Sequence, residues 1–203
     1  MRNFLKIAEG QDTMPLLLAL SSNQDLWNQY KVRTTKEGPL SVHKAVDDIV
    51  LRYAPYTQGE DFMDKICSNI HCVDYPAWHK LPEAHHFIFG VMARVKGVHL
   101  GRVMISRVPP GGSIPEHSDR IGPAEEAFPD RVPPALYYER YHVVLQSGPG
   151  TVFRCGDEEV YMATGEVWWF DNQIIHSVQN NSAVDRLHLV MDIRTKHDNY
   201  VPQ

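Results

Sequence analysis

From His99 to Ile193 the chain falls into short stretches rich in β-branched and aromatic residues: 99–107, 114–118, 138–147, 151–155, 158–162, 166–170, 175–180 and 186–193. Gly111-Gly112, Gly148-Pro149-Gly150, Gly156-Asp157 and Thr164-Gly165 punctuate them with residues that form tight turns. Many short strands at this spacing bury their apolar side chains only when two sheets face each other. The pattern therefore predicts a mainly β chain built as a double-stranded β-helix, the cupin-like jelly roll. Such a fold has a mouth at which residues from distant strands converge.

The preceding residues read differently. Met14 to Leu20 and Gln24 to Tyr30 are expected as short helices, and Asp48 to Tyr53 as a strand ended by Ala54-Pro55. Between Pro82 and Lys96, Phe87, Ile88, Val91, Met92 and Val95 recur at helical spacing. That segment is expected as an amphipathic helix on the outside of a sheet, ended by Gly97. The expected organisation is an α/β flanking region, 1–98, with helices packed on a jelly-roll core, 99–203, in one structural domain. A chain of 203 residues can bury a core of that size.

Composition narrows the function. A hydrophobic content of 43% with 22% charged residues is that of a soluble globular protein. The net charge of -5 provides no basic footprint for nucleic acid or an anionic membrane, so a small-molecule or peptide substrate is expected instead. Three cysteines cannot form a paired framework and point to a reducing compartment. Cys67-x4-Cys72 with His71 between them lacks the second ligand pair that would complete a zinc site. The start of the chain lacks a long apolar stretch, and Leu16 to Leu20 is too short to span a bilayer, so a cytoplasmic location is expected.

The chemistry concentrates in His117-Ser118-Asp119, followed by His176 and then Arg186. Two histidines and a carboxylate are the ligand set that holds Fe(II) on one face and leaves the opposite positions open. On an extended backbone residues i and i+2 share a face, so His117 and Asp119 can point the same way, with His176 as the distant third ligand. Arg186 adds a cation suited to a bidentate grip on a carboxylate. Taken alone, the His-x-Asp segment is equally a polar surface turn. Arg140 and His142 share one strand face; they either point into the barrel, where they need an anionic or metal-bound partner, or lie on an exposed edge. Trp168 and Trp169 either wall a pocket or pack in the core, and His188 reads as a satisfied core histidine. Glu116, Trp168 and the segment 120–136 are candidate substrate contacts. That segment, rich in Pro and acidic residues, is either a lid over the mouth or a surface loop.

From about Arg102 to Arg194 the chain resembles the aspartyl/asparaginyl β-hydroxylase family of 2-oxoglutarate-dependent oxygenases, which includes free-proline hydroxylases. The resemblance is carried by Ser106, His117, Arg140-Tyr141-His142, Gly165-Glu166-Val167, Phe170-Asp171-Asn172, His176, Asn180 and Asp185-Arg186. It implies His117 and His176 as iron ligands, with Arg186 on the distal carboxylate of 2-oxoglutarate and Ser106, Arg140 and His142 helping to hold that cosubstrate. It also implies Fe(II), 2-oxoglutarate and O2 as the reactants that hydroxylate an amino-acid residue or a free amino acid, releasing succinate and CO2. The animal branch of the family has glycine where this chain has Asp119, so the chain looks like the branch with a full triad. The competing readings are a cupin-like metal-dependent isomerase, a sugar- or metabolite-binding jelly roll, and a binding module without turnover. The cupin-like proteins usually offer more histidine ligands and need no arginine at the far end of the barrel.

Overall fold

Alternation of apolar and polar side chains along three central strands sets the architecture. The computed structural model describes residues 2–30, 41–43, 45–55, 72–119 and 138–195. In chain order the elements are β1 (Phe4–Ala8), α1 (Met14–Ser22), β2 (Asp47–Tyr53), β3 (Val73–Asp74), α2 (Pro76–Lys80), α3 (His85–Arg94), β4 (Gly97–Val108) and β5 (Ser113–His117). They continue as β6 (Glu139–Gln146), β7 (Thr151–Cys155), β8 (Glu158–Val160), β9 (Val167–Phe170), β10 (His176–Asn180) and β11 (Arg186–Thr195). Two antiparallel sheets result: a major one in the order β1-β9-β6-β11-β4-β2-β3 and a minor one in the order β5-β10-β7-β8. This is the jelly roll expected from the strand pattern.

The major sheet has two different faces. Leu187, Leu189, Met191 and Ile193 of β11 join Tyr141, Val143 and Leu145 of β6 and Val103 and Ile105 of β4 in a core shared with Leu16, Leu20, Phe87, Ile88 and Val91 of the helices. Each fully buried Leu or Ile there stabilises the fold by about 1.5–3 kcal/mol. The opposite face meets the minor sheet through Val108, Val144, Phe170, Ile114, Phe153 and Val178. Asn180, fully buried, ties the end of the sandwich together: its amide donates to the Val108 and Val184 carbonyls and its oxygen accepts from Thr151 and Ser182.

Several elements depart from expectation. Gln24 to Tyr30 forms only a 3-10 turn, Gln24–Leu26, because Asn28 takes a positive φ of 58° that breaks the helix. The helix expected over 82–96 begins as a 3-10 turn, Pro82–Ala84, becomes α3, and stops at Arg94, before Lys96 at φ 53° and ahead of Gly97. β1 was not anticipated: it pairs with β9, and its Phe4 sits edge-on to Phe153 in the core between the sheets. The first 98 residues thus contribute strands to the major sheet as well as helices upon it. Cys67 and His71 of the zinc-like cluster and the segment 120–136 lie outside the described residues. No helix among the described residues is long and apolar enough to cross a membrane.

Candidate active site

Strand register brings the two distant histidines together. β5 and β10 pair antiparallel with His117 directly opposite His176, and the ring centroids stand 4.3 Å apart. Asp119 follows just beyond β5, where its backbone N–H donates to the Asn172 carbonyl at 3.0 Å. Ligand atoms of His117, Asp119 and His176 all lie within 4.8 Å of one another.

The imidazoles are oriented by their own strands. Nδ1 of His117 lies 2.8 Å from the Pro115 carbonyl, and Nδ1 of His176 lies 2.8 Å from that of Ile174. A carbonyl only accepts, so each Nδ1 carries the proton and each Nε2 keeps its lone pair. Burial pushes the His176 pKa down to about 4, although the Asp119 carboxylate pulls it the other way. The ring is therefore neutral near pH 7, and the 3.7 Å approach of its Nε2 to Asp119 Oδ2 is not an ion pair. Burial would raise the Asp119 pKa, but Arg140, with His176, His117 and Arg102, outweighs it and keeps the carboxylate ionised.

Next to these three groups lies a cavity lined by residues of both sheets. Its polar lining comprises Ser106, Arg140, His142 and Arg186 from the major sheet, His117 and His176 from the minor sheet, and His43. Phe153 and Phe170 supply apolar walls, and the Arg186 guanidinium lies 5.6 Å from the Phe153 ring centre. Arg140 and His142 therefore face inward and are buried, which excludes the exposed-edge alternative.

Arg186 and His188 share the inner face of β11, and His188 pairs with Ser106 across β4. Arg186 Nη2 stands 3.1 Å from His188 Nδ1, which in turn stands 3.1 Å from His142 Nδ1. Arginine can only donate, so His188 Nδ1 is an acceptor and His142 Nδ1 carries a proton toward it. This leaves the Nε2 atoms of His142 and His188 buried without a hydrogen-bond partner. His188 is thus only half satisfied, not the fully satisfied core histidine expected. Burial first, then the Arg186 charge, holds both imidazoles well below the ordinary histidine pKa.

Arg140 is shared between two carboxylates. Its Nε and Nη2 donate to Asp192 at 2.8 and 3.2 Å, and its Nη1 donates to Asp119 at 2.6 Å. Three of the five guanidinium N–H groups are so engaged, which leaves two for a bound ligand. Glu116 is exposed on β5, and Trp168 is held by Glu166 and packs edge-on to Phe4; neither lines the cavity. Trp169 belongs to the helix-side core.

Four contributors escaped sequence reasoning. Asp192 was legible in principle, since it shares the face of Arg186 and His188 by strand alternation. Arg102 and Phe153 carry no local signal of their partners. His43 comes from the 3-10 turn Ser41–His43 and meets the His117 ring edge-on at 5.2 Å, a contact created only by the fold.

A family model described as aspartyl/asparaginyl beta-hydroxylase matches residues 71–196, more than half of the chain. The fold is similar to that of the viral collagen prolyl hydroxylase of Paramecium Bursaria Chlorella virus-1, solved as its 2OG complex, with 10% identity, 96% of each chain covered and a TM-score of 0.50. A prolyl-4-hydroxylase of Pseudomonas putida matches at 15% identity, covering 97% of this chain and 94% of that one, with a TM-score of 0.45. A predicted oxalate decarboxylase of Thermotoga maritima matches at 19% identity over 52% of this chain and 72% of that one, with a TM-score of 0.35. At such identities the likeness concerns the fold. No curated protein sequence matches the chain.

Proposed function

The chain belongs to the aspartyl/asparaginyl β-hydroxylase family of 2-oxoglutarate-dependent dioxygenases, and on that premise we propose that His117, Asp119 and His176 hold Fe(II) beside a 2-oxoglutarate pocket. The observation that carries this reading is the matched pair of Nδ1 contacts to the Pro115 and Ile174 carbonyls. They leave two neutral Nε2 lone pairs beside an ionised carboxylate, a donor set suited to a divalent iron. When bound, iron and 2-oxoglutarate supply the oxidising chemistry, with O2 divided between a hydroxylated product and succinate formed with loss of CO2.

The protein's own groups would bind and orient. Arg186, buried at the cavity wall, would grip the distal carboxylate of 2-oxoglutarate through charge-assisted hydrogen bonds. Ser106 lies on the same wall and adds a hydroxyl, while Arg140 contributes its two remaining N–H groups. His142 lines the cavity, and its Nε2 would meet the cosubstrate or an ordered water. Phe153 and Phe170 keep bulk water from the pocket.

The substrate in this reading is a free amino acid or an amino-acid residue of the Asp, Asn or Pro type, a choice supported by the family's description. Arg186 disfavours a cupin-like isomerase or sugar-binding protein, because such proteins need no arginine at the far end of the barrel. Anaerobic addition of 2-oxoglutarate to Fe(II)-loaded protein is expected to produce a visible metal-to-ligand charge-transfer band. Absence of that band, together with no succinate formation across an amino-acid and peptide panel, would overturn the reading.

A further inference from the structure

Behind the candidate iron site runs a buried chain of alternating charges. Arg102 Nε donates to Asp192 Oδ2 at 2.7 Å, Asp192 accepts from Arg140 at 2.8 and 3.2 Å, and Arg140 donates to Asp119 at 2.6 Å. Asp192 is 1% exposed and Arg140 6%, so neither charge is solvated by bulk water. The register explains the assembly. Asp192 on β11 lies directly opposite Arg140 on β6, while on its other side the pairing with β4 shifts between Met191 and Ile193. Opposite Asp192 alone, β4 has two residues, Gly101 and Arg102, between the partners Leu100 and Val103. A bulge of this kind re-aims a side chain, and here Arg102 reaches Asp192.

A buried guanidinium with one carboxylate partner could swing between positions. With its Nε and Nη2 both occupied by Asp192, Arg140 has its plane set and its Nη1 directed at Asp119 Oδ2. The same oxygen stands 3.7 Å from His176 Nε2. We propose that Asp192 is a positioning residue: through the Arg140 fork it holds the Asp119 carboxylate in place for single-site ligation beside His117 and His176. Arg102 balances the charge of Asp192 on the far side, and it acts on Asp119 as a nearby positive charge. The proposal rests on the iron-site reading above and adds a residue that touches neither metal nor cosubstrate.

The test uses the full chain and Co(II) as a redox-stable probe, with affinity read by calorimetry and coordination by the visible d–d spectrum. Asp192→Asn is expected to weaken Co(II) binding by about 10- to 100-fold, the range for losing a group that orients a ligand, and to alter the spectrum. Leu189→Ala, on the helix-side face of β11 and outside the Asp192–Arg140–Asp119 path, is expected to lower Tm yet keep Co(II) affinity within about threefold, less than the loss of an orienting group costs. Should Asp192→Asn not fold, Arg140→Lys keeps the positive charge, removes the fork and is expected to reproduce the weakened affinity. Wild-type affinity and spectrum in a folded Asp192→Asn or Arg140→Lys protein would overturn the proposal, as would equal losses in Leu189→Ala. Failure of the wild-type protein itself to bind Co(II) would instead overturn the iron-site reading, and the positioning role with it.

Discussion

The two faces of the major sheet are built from the same strands and do opposite things. On β11, Leu187, Leu189, Met191 and Ile193 point to the helices, whereas Arg186, His188, Val190 and Asp192 point to the minor sheet. β6 repeats the division, with Tyr141, Val143 and Leu145 outward and Arg140 and His142 inward. The outer face is held by non-directional burial, which tolerates exchange of one apolar side chain for another of similar volume. The inner face is held by directional bonds between charges and imidazoles, where every partner matters. A sheet can therefore draw its stability from one side and spend the other on a site whose buried polar groups cost stability.

That contrast can be broken experimentally. Leu189→Ala, on the outer face, should cost about 2–5 kcal/mol in urea unfolding, while folded protein keeps its 2-oxoglutarate affinity; a large change in affinity would show that the faces are coupled. Arg186→Leu, on the inner face, should weaken 2-oxoglutarate binding to Co(II)-loaded protein by about 1.5–3 kcal/mol, roughly 10- to 150-fold, by calorimetry. If affinity is unchanged, Arg186 is not the clamp.

Acid sensitivity should also belong to the inner face. His142 and His188 have folded pKa values well below the ordinary 6.5, so below about pH 6.5 the unfolded chain binds more protons. Their contribution to stability is present above that pH and is lost as pH falls through it. The Tm of metal-free protein should drop between pH 7 and 5, and His188→Leu should flatten part of the slope; an unchanged slope would locate the sensitivity elsewhere. The smallest effect is expected from Trp168→Phe. It removes the hydrogen bond to Glu166, worth about 0.5–1.5 kcal/mol, and should leave cosubstrate affinity and succinate formation as in wild type.

Legibility followed the range of the physical cause. The strands from His99 onward were readable because alternation and turn residues are local signals, and the structure keeps them within a residue or two at most ends. β1 was not readable, since Phe4–Ala8 becomes a strand by pairing with β9 more than 150 residues away. The helix misread at Gln24 to Tyr30 failed on the left-handed backbone of Asn28, whose N–H donates to the distant Asp48 carbonyl. Of the residues expected at the mouth, His117, His176, Ser106, Arg140, His142 and Arg186 line one cavity and Asp119 adjoins it, while Glu116 and Trp168 stand outside it.

By itself the order His117, Asp119, His176, Arg186 pointed to the kind of chemistry proposed, because few ligand sets combine two imidazoles, a carboxylate and a cation suited to gripping a carboxylate. Alternation along β6 and β11 likewise determined which residues could share a face. Only the tertiary structure decided how Arg140 divides its donors. That division depends on Asp192 lying opposite it in register and on a bulge that turns Arg102 inward. Hydrogen-bond direction depends on distances of a few ångströms between strands remote in the chain, and no local pattern encodes them.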